Sequence, residues 1–205
     1  MAGLAKPYAD KSRDRYLSED EVKTFWKGID ETSNISHPMR IALKLLLLTG
    51  QRRVEVVHMS RGELNLSEKL WSLPKERTKN GRPHNVPLSD FAVSLIKEAM
   101  SHAGDSEYIF PSPRNKAIPV NQKAATRAWS RVSKQLGIEG TVLHDFRRTL
   151  ATGLQKLGIQ LEVTEAILNH KSGKISGIAA IYQRHDWRVE KRDALDKWAG
   201  KNLNI

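Results

Sequence analysis

The segment from His37 to Thr49 constrains this chain more than any other. From Ile41 to Leu48 it reads Ile-Ala-Leu-Lys-Leu-Leu-Leu-Leu, apolar on nearly every face of a helix. A helix without a polar face is stable only when other elements surround it, so the fold must be built around this one. Gly50 is a natural stop, because glycine enters the left-handed conformation that ends helices. The run is far too short to span a bilayer, which takes about 20 apolar residues. The first residues do not form a signal peptide. A soluble, cytoplasmic protein is expected.

The elements on either side follow from local signals. The first 15 residues are polar and patternless and read as a linker or N-terminal extension. A helix then starts strongly: Ser18 and Glu21 form a capping box, with Leu17 and Val22 placed as a hydrophobic staple. Val22, Phe25, Trp26 and Ile29 recur at helical spacing. A short helix is expected from Arg52 to Val57. The period then changes. Leu64 and Leu66 alternate with polar residues, as do Trp71 and Leu73, and Val86 follows. Asn80-Gly81 is a strong hairpin signal, since both residues tolerate positive φ, and Pro83 and Pro87 confine the last strand to an edge. Helices return around Phe91 to Ala99, Val120 to Leu136, Leu143 to Leu157 (closed by Gly158), Leu161 to Leu168, Ile178 to Tyr182 and Trp187 to Trp198. The expected architecture is α+β: mainly α, with one small three-stranded antiparallel sheet.

At 205 residues the chain is about one domain long. Apolar residues make up 39% of it, enough for a sizeable core, and the net charge of +11 suits a polyanionic partner such as nucleic acid. There is no cysteine, which excludes disulfides and thiol chemistry and agrees with a reducing compartment.

Four segments concentrate reactive groups beside apolar runs. In Thr49-Gly50-Gln51-Arg52-Arg53-Val54-Glu55, the Glu55 carboxylate lies one helical turn from the Arg52 guanidinium and can hold it. Taken alone, that spacing is more often a structural ion pair. In Arg77-Thr78-Lys79-Asn80-Gly81-Arg82, Lys79 precedes a tight turn, so its ammonium projects either into a groove or simply into solvent. In Leu143-His144-Asp145-Phe146-Arg147-Arg148-Thr149, His144 and Arg147 share one helical face while Phe146 and Leu150 point to the core. A histidine and an arginine at a helix start suit an anionic ligand, although a capping histidine beside a surface arginine would look the same. The fourth segment places His170 at a helix end and Tyr182 in a further helix after a glycine-containing link. A tyrosine on a helix face is by itself usually core or rim.

Together these positions resemble the tyrosine recombinase family, and phage-type or genomic-island integrases in particular. Arg52 in Thr-Gly-Gln-Arg-Arg-Val-Glu, Lys79 in the hairpin, His144 and Arg147 in His-Asp-Phe-Arg-Arg-Thr, His170 after Leu-Asn, and Tyr182 before Gln-Arg stand in the family's order, from about Tyr16 to Trp198. Two features depart from the pattern. Asn169 stands where a glycine often precedes the second histidine, and the stretch from His170 to Tyr182 is longer than in the best-known members.

The resemblance implies a catalytic domain over residues 16–205 that cleaves and rejoins double-stranded DNA through a 3′-phosphotyrosyl intermediate. Tyr182 is then the nucleophile. Arg52 and Arg147 clamp the non-bridging phosphate oxygens, with Glu55 in support. His144 accepts the phenol proton, His170 steadies the phosphate or the proton path, and Lys79 protonates the leaving 5′-oxygen. No cofactor and no metal are implied. A zinc site of His144, Asp145, His170 and His185 lacks ligand spacing. Arg53, Lys75, Arg82, Arg127 and Arg148 are candidates for the DNA groove. Family members usually carry an N-terminal core-binding domain, often with an arm-binding domain before it, and these residues include neither. Recombination in the family involves a tetramer on two duplexes, in which the C-terminal segment packs onto a neighbour. The helix from Trp187 to Trp198 and the tail from Lys201 to Ile205 are candidates for that role or for packing in cis. As a fragment the chain is expected to be monomeric. Two other readings share the charge and the helices: a non-catalytic, integrase-like DNA-binding module, and a type IB topoisomerase-like relaxing enzyme. A basic RNA-binding protein is more remote.

Overall fold

The computed structural model describes residues 14–170 and 186–203. The helices are α1 (Glu19–Gly28), α2 (His37–Thr49), α3 (Arg53–Val57), α4 (Asp90–Ala103), α5 (Gln122–Gln135), α6 (Leu143–Lys156), α7 (Leu161–Ile167) and α8 (Arg188–Leu203). As the apolar run requires, α2 is the central element. Ile41, Ala42, Leu43, Leu45 and Leu47 are at most 1% exposed, because α4, α5, α6 and α8 pack around the helix. Each such leucine contributes roughly 1.5–3 kcal/mol by leaving water. The charge that interrupts the run, Lys44, reaches Asp30 at 2.6 Å instead of entering the core.

The capping box on α1 forms as the sequence predicts: the Glu21 N–H donates to Ser18 Oγ at 3.2 Å, and the Ser18 N–H donates to the Glu21 carboxylate at 2.8 Å. Leu17 and Val22 are both buried, and the Leu17 N–H donates to Thr149 Oγ1 on α6 at 2.9 Å. Phe25, Trp129 and Phe146 meet edge-on, with ring centroids 4.6–5.9 Å apart. That arrangement joins α1, α5 and α6 through favourable quadrupole contacts.

The sheet is a three-stranded antiparallel meander, β1 (Leu64–Asn65), β2 (Leu70–Leu73) and β3 (His84–Pro87), in the order β1-β2-β3. Its last strand is an edge, as the two prolines require. Two details differ from the sequence expectation. Leu66 falls outside the short β1 and packs, half-buried, against the core. Asn80-Gly81 does not form a two-residue hairpin: the ladder closes at Leu73↔His84, and residues 74–83 make a longer connection. Gly81 has φ +68° while Asn80 has no positive φ, and the Gly81 N–H donates to the Thr78 carbonyl at 3.3 Å. Thr78–Gly81 is therefore a local turn set on an arm. Thr78 holds the arm's shape by sharing its one hydroxyl proton between the Lys75 and Arg82 carbonyls, at 3.0 and 2.7 Å.

The last helix runs past Trp198 to Leu203. It packs in cis, with Lys191 Nζ donating to the Asn85 carbonyl of β3 at 2.8 Å and the Trp198 indole N–H donating to the Leu47 carbonyl of α2 at 3.0 Å. Trp198 is seated on a glycine. A Cβ built on Gly153 would lie 2.1 Å from Trp198 Cζ3, so α8 can close onto α6 only where that position has no side chain. The expected segment from Ile178 to Tyr182 lies outside the described residues. Among the described residues no helix is long and apolar enough to cross a membrane.

Gly153→Ala is accordingly expected to destabilise the protein by about 2 kcal/mol, the range of an overpacked core, although alanine is the better helix former. Urea denaturation monitored by tryptophan fluorescence checks this. An unchanged midpoint would show that α8 does not depend on the contact.

Candidate active site

Three chain segments converge at the C-terminal end of α2. The first is the turn from α2 into α3. Gly50 caps α2 with φ +64°, and a Cβ there would press on Leu150 and Leu168 at 3.1–3.2 Å; glycine is needed both for conformation and for space. Gln51 is buried, and its amide donates to the Thr49 and Ile167 carbonyls, each at 2.9 Å. It thus staples this turn to the end of α7. Arg52 is the N-cap of α3. Its backbone N–H donates to the Glu55 carboxylate at 2.7 Å and its guanidinium does so at 3.0 Å, so Glu55, itself 1% exposed, orients Arg52 as expected.

The second segment is the start of α6. The Asp145 carboxylate accepts from the Val142 N–H and from Arg148, both at 2.8 Å, which caps the helix. Phe146 and Leu150 enter the core. Arg147, one helical turn after His144, is 4% exposed. Its Nη1 donates to the Gly50 carbonyl, and its Nη2 donates to the Leu168 carbonyl at 2.7 Å and meets His170 Nε2 at 3.2 Å. Its Nε–H is buried and has no hydrogen-bond partner among the described residues.

The third segment is the end of α7. Asn169 takes φ +49°, the region a glycine would favour and that asparagine tolerates better than most residues. It turns the chain so that His170 comes back to Arg147. Glu165 meets His170 Nδ1 at 3.1 Å. Together these contacts make a neutral His170 a donor at Nδ1 and an acceptor at Nε2.

Arg52, His144, Arg147 and His170 thus share one neighbourhood. Burial first, and the Arg52 charge second, lower the Arg147 pKa to about 10, while Glu55 and Glu165 oppose the shift. Arg52 and Arg147 raise each other's electrostatic cost, which a bound anion would relieve. Burial lowers the His144 pKa as well, helped by Arg147 and Arg148. A lowered pKa keeps His144 neutral at pH 7, the form that can accept a proton.

Lys79 is exposed on the 74–83 arm and has no ion pair among the described residues. Two contacts tether the arm. Arg77 pairs with Glu63 at 2.6 Å and donates to the Glu55 carbonyl of α3 at 3.0 Å. The Asn80 amide reaches Asn169, beside His170. Tyr182 and His185 lie outside the described residues. Of the suggested zinc ligands, Asp145 is engaged by Val142 and Arg148. The His37, Glu98 and His102 grouping lies at the far end of α2. Two of the proposed groove residues are held by the fold: Arg53 donates to Gln122 on α5 at 3.0 Å, and Arg148 pairs with Asp145.

Sequence reading missed Gln51, Glu165 and His84. Of these, His84 was findable, because it alternates with Val86 and so falls on the buried face of β3. Its Nε2–H donates to the Ile167 carbonyl at 3.1 Å. Burial, then the Lys191 charge, push its pKa down to about 3.

The phage integrase family profile matches residues 15–187. Prophage integrase IntA of Escherichia coli K12 is 30% identical over 169 residues, covering 82% of this chain and 40% of IntA. Among solved structures, the integrase of mycobacterium phage Brujita superposes with a TM-score of 0.69 at 17% identity, over 95% of this chain and 61% of that one. A lambda integrase tetramer bound to a Holliday junction gives 0.65 at 20% identity, over 85% and 52%. These likenesses place the fold among tyrosine recombinase catalytic domains. The chain spans about half the length of the curated relatives it matches.

The buried, neutral His84 makes stability depend on pH. Its folded pKa of about 3 lies below the unfolded value of about 6.5, so the unfolded chain binds the extra proton. Stability is full above pH 6.5 and falls as pH drops towards 3. Between pH 7 and pH 5 the loss is expected to be about 2 kcal/mol. His84→Gln, which keeps a donor for Ile167 but does not titrate, should flatten that slope. Urea titrations at both pH values measure it, and an unaltered slope would assign the acid sensitivity elsewhere.

Proposed function

The chain belongs to the phage integrase family, and from that premise we propose that it is the catalytic portion of a tyrosine-type site-specific recombinase. Its substrate is double-stranded DNA, which it cleaves and rejoins through a covalent bond between Tyr182 and a 3′-phosphate. The observation that carries this reading is the buried Arg147 guanidinium, fixed by backbone carbonyls beside Arg52. Glu55 pairs with Arg52, but Arg147 has no carboxylate ion pair among the described residues, so the pair suits an added anion.

A phosphodiester provides that anion, and its negative charge deepens on the non-bridging oxygens during in-line attack. Arg147 and Arg52 stabilise those oxygens from positions set before the substrate arrives, so little reorganisation is left for the transition state. Three of the Arg147 N–H groups already hold Gly50, Leu168 and His170; the buried Nε–H and one on Nη1 remain for the phosphate. The Tyr182 oxygen bonds to phosphorus as its proton passes to neutral His144. The bond to the 5′-oxygen breaks, and Lys79 protonates the departing alkoxide. His170, held by Glu165 through Nδ1 and by Arg147 through Nε2, sustains the proton path. The covalent link keeps one ester for each ester broken, so a free 5′-hydroxyl can reverse the step without nucleotide hydrolysis.

The full reaction is proposed to use four protomers on two duplexes. The lambda integrase tetramer on a Holliday junction supports that assembly by likeness of fold. With a charge of +11, binding to the phosphate backbone should weaken steeply as salt rises, and a DNA-bound life at the nucleoid follows from the same charge.

The test is a suicide substrate, a nicked duplex whose cleaved end diffuses away. The wild-type chain is expected to form an adduct that survives denaturing electrophoresis. Tyr182→Phe should form none while binding DNA nearly as well, and Arg147→Ala should slow adduct formation by roughly 100-fold or more. An adduct with the phenylalanine variant would refute the nucleophile assignment. Binding with no adduct from the wild type would leave a non-catalytic module, and relaxation of site-free supercoils would point to a topoisomerase.

A further inference from the structure

Two asparagines flank the proposed catalytic groups. Asn80 directly follows Lys79 and Asn169 directly precedes His170, yet the two are 89 residues apart in sequence. Their side chains form a reciprocal amide pair. Asn80 Nδ2 donates to Asn169 Oδ1 at 2.7 Å and to the Asn169 carbonyl at 3.0 Å, and Asn169 Nδ2 donates back to Asn80 Oδ1 at 3.3 Å. The same Asn80 oxygen accepts from the Arg82 N–H at 3.2 Å, closing the arm on itself. A glycine at 169 would keep the left-handed turn, φ +49°, and the backbone acceptor. It would lose both side-chain contacts. Asparagine therefore accepts an unfavourable conformation where glycine would have none, and what it adds is the bond to the lysine arm.

Lys79 itself has no ion-pair partner among the described residues and sits on a long exposed connection. An ammonium on such an arm samples many positions, while proton donation to a leaving oxygen needs hydrogen-bond reach. Arg77 holds the near side of the arm to α3 through the Glu55 carbonyl. The amide pair holds the far side to the histidine.

We propose that Asn80 and Asn169 are positioning residues: their amide pair is a latch that docks the arm against the end of α7 and so presents the Lys79 ammonium to the leaving 5′-oxygen. This rests on the recombinase reading above and deepens it, because the latch acts on one chemical event, leaving-group protonation, and not on the phosphate clamp. Opening the latch frees the arm and withdraws the proton donor, whereas Arg52 and Arg147 stay fixed by their own contacts.

The experiment uses the whole 205-residue chain and two suicide duplexes that differ in one atom, a bridging 5′-oxygen or a bridging 5′-sulfur at the scissile phosphate. A thiolate leaves without a proton, so the sulfur substrate bypasses the general acid. Asn80→Ala and Asn169→Gly are each expected to slow adduct formation on the oxygen substrate by roughly 10–100-fold at saturating DNA, part of the roughly 10²–10⁴-fold a general acid supplies. On the sulfur substrate they should match the wild type, as should Lys79→Ala. Combining Asn80→Ala with Lys79→Ala should slow the oxygen reaction no further than Lys79→Ala alone. Asn80→Asp, which keeps the acceptor for Arg82 and loses the donors to Asn169, serves if the alanine variant does not fold. Equal slowing on both substrates would overturn the latch in favour of a merely structural pair, and so would normal rates on the oxygen substrate. A wild-type chain that forms no adduct with either duplex removes the recombinase reading itself, and the latch falls with it.

Discussion

The Arg147 guanidinium is the point at which fold and site become one problem. A buried cation is costly to desolvate, and here it stands close to a second guanidinium rather than against a carboxylate partner of its own. What holds it is backbone: the Gly50 and Leu168 carbonyls, offered by the ends of α2 and α7. Those carbonyls are free to accept because both helices end there, and the unpaired carbonyl ends of helices favour a positive charge. The same residue therefore ties three elements together and holds its positive charge beside Arg52, where an anion would be stabilised.

The core supplies the rigidity that this arrangement needs. Glycine at position 50 lets α2 stop against Leu150 and Leu168, so the turn carrying Arg52 cannot drift from the helix carrying Arg147. Gln51 fastens that turn to α7, Asp145 caps α6, and Trp198 closes α8 over α2. Each contact is local, yet each sets the distance between groups far apart in sequence. His84 extends the same support from the sheet by holding the Ile167 carbonyl, at the expense of a histidine that has to stay neutral.

Much of this was legible in the chain. The all-apolar run predicted a central helix, the Ser18 and Glu21 pattern predicted the start of α1, and the spacing of Arg52 and Glu55 predicted their ion pair. In each case the controlling interaction lies within a turn or two of sequence. The Asn80-Gly81 signal failed for a related reason. It reports that a turn is favoured there, not where the strand ladder ends, and the ladder closes at Leu73↔His84 while Arg77, Thr78 and Asn80 spend their hydrogen bonds on the arm and on other elements. Asn169 was read only as the residue before His170, and Glu165 was not singled out at all. Nothing local reveals that Glu165 meets the His170 ring and that Asn169 bonds the arm between β2 and β3.

By itself, then, the sequence determined the elements, the face each turns inward and the order of the reactive side chains, because periodicity, caps and charge act over a few residues. Only the tertiary structure decided that Arg147 would be anchored by carbonyls rather than carboxylates, that Asn80 would meet Asn169, and that α8 would fold back in cis. Those outcomes depend on which helix ends finish side by side. That is settled by burying the apolar face of every element at once around α2, a condition that no single stretch of the chain contains.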